Sequence, residues 1–168
     1  FLHFSLGVPG LQKDKAARVL NARTVKPLAG KTLLIIRLCH TGRAVAARSK
    51  AFGMKVLGTR ARPKPMENVD EVHAADDLHD LLPHADFIAV STPLIPATRG
   101  LIGAQEIAAM KPGVIFADVS RGGVVDQTAL YDALSVGHVA AAALDVFETE
   151  PLPETSPLWA LENVIISP

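Results

Sequence analysis

From Lys31 onward the hydrophobic positions fall in short continuous runs, not in strict alternation. The runs Thr32–Ile36, Lys55–Gly58, Phe87–Val90, Val114–Val119, Val139–Leu144 and Val164–Ile166 are the predicted strands. Continuous apolar strands are expected where a parallel sheet is covered on both faces. Helical spacing fills the gaps between them. Ala44, Ala47 and Ala51, with Val45 and Phe52, form a predicted face after Gly42; Leu78, Leu81 and Leu82 follow Asp76, and Leu130 and Leu134 follow Asp126. Asp76 and Asp126 are the predicted N-caps of their helices. Strand and helix alternating in this way predict an α/β fold, a doubly wound parallel sheet with right-handed crossovers. Residues 1–30 read differently, as a helical fragment, a break at Pro9-Gly10 and a second helical piece over Lys13–Leu20. The expected division is an N-terminal helical linker over 1–30 and a sheet domain over 31–168.

Composition narrows the classes. With 168 residues and 49% hydrophobic content, the chain can bury one substantial core. Seventeen basic residues balance seventeen acidic ones, so no basic surface argues for nucleic acid or an anionic membrane. The apolar opening FLHFSLGVPGL lacks a basic flank and is too short to span a bilayer. The single cysteine, Cys39, rules out an internal disulfide framework and suits a reducing cytoplasm. No metal site is expected. The chain does not begin with methionine, and we read it as a segment of a longer protein.

The chemistry starts at IIRLCHTGRAVA, residues 35–46, where a strand runs through a turn into a small-residue helix. A dinucleotide-binding turn places G-x-G-x-x-G there: one glycine for the tight turn, one for close approach of the pyrophosphate, one for helix packing. Here Arg37 and Cys39 hold the first two places, and only Gly42 keeps its glycine. The helix N-terminus remains an anion site, so Cys39, His40, Thr41 and Gly42 are candidate pyrophosphate contacts. Arg37 and Cys39 are expected to weaken binding. At the end of the second strand, Gly58-Thr59-Arg60-Ala61-Arg62 carries no acid to hold a ribose hydroxyl. Thr59, Arg60 and Arg62 there are either a site for a 2′-phosphate, favouring NADP over NAD, or a solvated basic loop.

The second half is more specific. It contains Ser91-Thr92-Pro93, Met110-Lys111-Pro112-Gly113, and Asp118-Val119-Ser120-Arg121-Gly122-Gly123. Ala143-Leu144-Asp145-Val146-Phe147 leads into Glu150-Pro151-Leu152-Pro153, and Asn163-Val164-Ile165-Ile166-Ser167-Pro168 closes the chain. In this order the motifs resemble the nucleotide-binding domain of the D-isomer-specific 2-hydroxyacid dehydrogenases, over about Pro27 to Pro168. The resemblance implies a Rossmann-like fold and reversible hydride transfer between NAD(P) and a small 2-keto or 2-hydroxy acid. It implies that Arg121 binds the substrate carboxylate and polarises the keto oxygen, and that Glu150 supports a catalytic histidine. It puts Ser91, Thr92, Pro93, Val119 and Ser120 beside the cofactor and Asp145 near the nicotinamide amide. The family's histidine follows the Ser-Pro pair, one place past Pro168, so catalysis is expected of a longer parent and not of this segment. Phe1–Leu28 resembles an interdomain and dimer-contact segment, which implies a homodimer. The family usually has asparagine at the place of Asp118. A second reading is a non-catalytic, corepressor-like binding protein on the same scaffold, favoured by the altered turn. His138 is read as a turn residue and Trp159 as a packed one.

Overall fold

The computed structural model describes residues 1–22 and 25–167. Arg23 and Thr24 of the N-terminal segment, and Pro168 of the last motif, lie outside the described residues. Seven parallel strands form one sheet: β1 Thr32–Ile36, β2 Lys55–Arg60, β3 Glu71–Ala74, β4 Phe87–Val90, β5 Val114–Asp118, β6 Val139–Leu144 and β7 Val164–Ile166. Their spatial order is β3-β2-β1-β4-β5-β6-β7. The chain thus builds outward from β1 in one direction, then returns to build outward in the other. That is the predicted doubly wound sheet, and its switch point lies between β1 and β4.

Helices cover both faces. They are α1 Leu2–Ser5, α2 Val8–Ala17, α3 His40–Ala51, α4 Leu78–Leu81, α5 Ala104–Ala109 and α6 Gln127–Ser135. Successive residues of a strand point to opposite faces, and β1 divides its side chains accordingly. Leu34 and Ile36 join one core with Leu81, Ile88, Ile107, Phe116 and Leu130, beneath α4, α5 and α6. Leu33 and Ile35 join another with Ala46, Val56, Phe87 and Ala89, beneath α3. Phe1 meets Phe87 edge-on, with ring centroids 5.0 Å apart, and so ties the N-terminal segment to the second core.

Several local expectations differ from the structure. The strand β3 is unforeseen, because Glu71-Val72-His73-Ala74 offers only a half-buried, weakly apolar edge. The break in the N-terminal segment falls at Gly7, whose φ is +67°, while Pro9 and Gly10 sit inside the first turn of α2, where a proline loses no helical hydrogen bond. The buried face of α3 is Gly42, Ala46 and Ser49; Ala47, Ala51 and Phe52 face outward. Asp77, not Asp76, closes the entry to α4, its carboxylate accepting the Ala74 N–H at 3.0 Å. Asp126 caps α6 as expected, accepting from the Ala129 amide at 2.9 Å. Trp159 is 54% exposed, and its indole N–H reaches only the Pro153 carbonyl.

Candidate cofactor crevice

The carboxyl ends of β1, β2, β4, β5 and β6 open on one edge of the sheet. Parallel register keeps them level: Ile36 pairs with Val90, and Val90 with Asp118. The turn after β1 is made despite its residues. Arg37 takes φ +71°, a left-handed conformation that costs an L-residue about 1–2 kcal/mol. The cost is offset by a dense local network. The Arg37 amide donates to Thr59 Oγ1 at 3.0 Å, the Ser91 hydroxyl donates to the Arg37 carbonyl at 2.8 Å, and the Leu38 amide reaches the Thr59 carbonyl at 2.9 Å. A Cβ on Gly42 would stand 2.9 Å from the Arg37 carbonyl and 3.0 Å from Ser91 Oγ, so the surviving glycine is the one that the packing requires. Leu38 folds down onto Gly58, where a Cβ would come within 2.6 Å of it.

Cys39 is the N-cap of α3, without a capping hydrogen bond from its side chain. Its thiol donates to the Ser91 carbonyl at 3.1 Å. Burial alone would push this thiol up, but the Gly42 and Thr41 amides, with Ser91, outweigh it and hold its pKa below the ordinary value. The sulfur therefore sits among the amides that a pyrophosphate would use.

Basic side chains gather on the outer side of the turn. Arg43, Arg60 and Lys64, with Cys39, His40 and Glu67, line a cavity of about 440 Å³. One guanidinium nitrogen of Arg60, Nη1, is buried with no hydrogen-bond partner among the described residues. Three basic side chains around one cavity suit an anion such as a nucleotide phosphate. Arg62 is exposed and outside this cluster, and Thr59 is 3% exposed with its hydroxyl committed to the turn. Lys64 joins the cluster unforeseen, and its place four residues beyond β2 gave no signal.

Across the switch point, Ser91 and Thr92 are buried and Pro93 is exposed. After β5, Val119 is 42% exposed and Ser120 is buried. Arg121 is exposed and donates from Nη1 to the Ser120 carbonyl at 2.7 Å. Gly122 lets this turn press against the loop after β6, since a Cβ there would stand 1.8 Å from the Phe147 carbonyl oxygen. On that loop Asp145 is exposed, its amide bonded to the Asp118 carbonyl at 3.0 Å. Glu150 is also exposed, and Oε1 accepts the Phe147 N–H at 3.0 Å, leaving Oε2 without a hydrogen bond among the described residues. Beneath them Asp118 is 4% exposed, and Oδ1 accepts the Ser120 amide at 2.9 Å. Burial pushes its carboxyl up to about 6; hydrogen bonds from Ser120 oppose the rise and the charge of Asp145 adds to it. No group of His, Cys, Asp and Glu among the described residues is arranged to hold a metal.

A doubly wound sheet with a strand–turn–helix at its switch point defines the dinucleotide-binding class of α/β proteins. Residues 9–168 match the D-isomer specific 2-hydroxyacid dehydrogenase, NAD binding domain, and the chain belongs to that family. It is 46% identical over 142 residues to D-3-phosphoglycerate dehydrogenase of Methanocaldococcus jannaschii, covering 84% of this chain and 27% of that protein. It is 43% identical over 140 residues to a glyoxylate reductase of Korarchaeum cryptofilum, covering 83% of this chain and 42% of the relative. A D-isomer specific 2-hydroxyacid dehydrogenase from Xanthobacter autotrophicus, solved in complex with NADPH and MES, superposes with a TM-score of 0.93 at 36% identity. That alignment covers 99% of this chain and 53% of the other. The chain thus spans between about a quarter and a half of the length of these relatives. No helix among the described residues is long and apolar enough to cross a membrane.

Proposed function

We propose that this chain is the cofactor-binding part of an oxidoreductase that transfers hydride between a nicotinamide and the carbonyl carbon of a 2-keto acid. One observation carries the reading: the turn at 37–42, the Ser91-Thr92-Pro93 loop, the Val119–Arg121 turn and Asp145 meet at one edge of the sheet. The Thr41 and Gly42 amides and His40 face the pyrophosphate, with Cys39 partly in its way. Arg60, joined by Arg43, Lys64 and the more distant Arg62, faces a ribose 2′-phosphate, which favours NADPH over NADH. Ser91 to Pro93, Val119 and Ser120 border the nicotinamide, and Asp145 accepts from its carboxamide.

The bound cofactor supplies the hydride. Arg121 grips the substrate carboxylate with its planar fork and stabilises charge developing on the keto oxygen. Glu150, through its free oxygen, hydrogen-bonds a histidine supplied by the longer parent and raises that residue's pKa, so that it can deliver the proton. The parent is a homodimer through the 1–28 segment, whose exposed Leu2, Leu6, Leu11 and Leu20 support that role. It works in the cytoplasm, the compartment that a lone free thiol suits.

Calorimetric titration with NADPH and NADH, on this chain and on its Arg37→Gly/Cys39→Gly variant, tests the reading. The expected result is a dissociation constant above about 10 µM for the chain, tightening in the variant, with NADPH ahead. Low-micromolar or tighter binding of NADH to the unaltered chain would overturn the weakened, NADPH-leaning site. Absence of binding by both proteins would overturn the cofactor role itself and favour a non-catalytic scaffold.

A further inference from the structure

At the carboxyl end of β5, beneath the turn that carries Arg121, lies an acid to which the hydride-transfer reading gives no task. Asp118 is the last residue of its strand, 4% exposed, and it is bonded in two directions. Its Oδ1 accepts the Ser120 amide at 2.9 Å, and the Ser120 hydroxyl adds to this hold on the ionised form. Its main-chain carbonyl accepts the Asp145 amide at 3.0 Å. One residue thus joins the turn of Arg121 to the loop of Asp145.

Arg121 has little else to steer it. Among the described residues its guanidinium makes one hydrogen bond, from Nη1 to the Ser120 carbonyl at 2.7 Å, and no ion pair. An exposed arginine on a flexible stem points where its anchor points. That anchor is itself buried, since Ser120 is 3% exposed. Main chain fixes the turn on either side of it. The Val119 amide donates to the Val90 carbonyl at 3.1 Å, and the Val124 amide to the Arg121 carbonyl at 3.2 Å. Beyond them Gly122 presses against the Phe147 carbonyl. The Ser120 amide, between these fixed points, is held by the Asp118 carboxyl alone among the described residues.

From this arrangement we propose that Asp118 is a positioning residue for Arg121: its carboxyl fixes Ser120, and the Ser120 carbonyl aims the guanidinium at the substrate. The assignment rests on the reading of Arg121 as the group that binds the substrate carboxylate. Buried under the turn, Asp118 acts through Ser120 and not on the substrate. The same arrangement makes the aim depend on charge. A carboxylate accepts an amide hydrogen bond about twice as strongly as a neutral group does, so protonation of Asp118 loosens Ser120 and with it Arg121. The charged groups around Asp118 are Arg121 on its own turn, and Asp145 and Glu148 on the loop after β6. The neighbouring β4 and α6 present uncharged residues there, Val90, Gln127 and Leu130. Burial chiefly, with the charge of Asp145, carries the carboxyl to about 6 against the Ser120 hydrogen bonds. The hold on Arg121 is therefore full at neutral pH and slackens as pH falls through about 6.

The test is NMR of the isotope-labelled chain, following the Ser120 amide shift and the order of the Arg121 Nε–H, read from its heteronuclear NOE, as pH is lowered. The expected result is one step in the Ser120 amide with a midpoint of about 6, and a fall in Arg121 order over the same step. Asp145→Asn, which removes a neighbouring negative charge, should move both midpoints down together. Asp118→Asn keeps an acceptor for Ser120 without the charge, and should hold Arg121 ordered with no step in either signal. Asp118→Ala should leave Arg121 disordered at every pH, and should bind oxamate, a small mimic of a 2-keto acid, about fivefold more weakly than Asp118→Asn does at neutral pH. An Arg121 that stays ordered through the Ser120 step, a Ser120 amide without a step, or equal order in a folded Asp118→Ala variant would overturn the proposal. Should Asp118→Ala not fold, the unaltered chain and Asp118→Asn still decide it. If both signals move together while oxamate shifts nothing at Arg121, the positioning stands and the substrate reading of Arg121 fails.

Discussion

At the scale of single residues, the crevice rests on contacts that leave no room for a methyl group. Gly42 faces the Arg37 carbonyl and the Ser91 hydroxyl so closely that Gly42→Ala must displace backbone. The expected cost is about 1–3 kcal/mol, read as a lower urea midpoint at unchanged slope. Asp118 behaves oppositely. Its folded-state pKa, raised to about 6, means that the native protein holds this proton more tightly than the unfolded chain does. Its ionised form therefore opposes folding at neutral pH, and the penalty fades as pH falls through about 6 towards 4. Asp118→Asn keeps an acceptor for Ser120 and removes the charge. It should raise stability at pH 7 by on the order of 1–3 kcal/mol, with the gain gone near pH 4, as melting curves across that range would show.

Elements differ in how plainly the chain announces them. The interior strands were legible because burial on both faces leaves only apolar runs, as in Thr32–Ile36 and Phe87–Val90. The edge strand β3 was not, because an edge needs backbone pairing more than side-chain burial: His73 pairs with Thr59, and Ala74 with Arg60. In α3, several small residues in succession make any stripe look apolar, and the true face was chosen by the clearance at Gly42, a fact of three dimensions. Capping was legible at α6, where the acid directly precedes the helix. Asp126→Ala should cost about 1 kcal/mol, seen as a lower thermal midpoint without loss of the sheet's circular dichroism. The crevice shows the same split. Its glycine-poor turn was evident in sequence, whereas the grouping of Arg43, Arg60 and Lys64 depended on how the chain leaves β2.

For the whole molecule, the two halves of the sheet contribute different contacts to one crevice, and those contacts separate by mutation. Arg60→Ala removes the partly buried guanidinium of the basic cavity. It should weaken NADPH about tenfold while leaving NADH nearly unchanged in calorimetry. An equal loss for both would place the 2′-phosphate elsewhere. The strand order carries a further consequence, in time instead of space. Since β1 is flanked by β2 and β4, the centre of the sheet cannot close until Phe87–Val90 has been synthesised. Until then a nascent chain presents the open side of its most apolar strand, an edge prone to pairing with neighbours. The hazard of misassembly is thus concentrated in the interval between the making of residue 36 and that of residue 90.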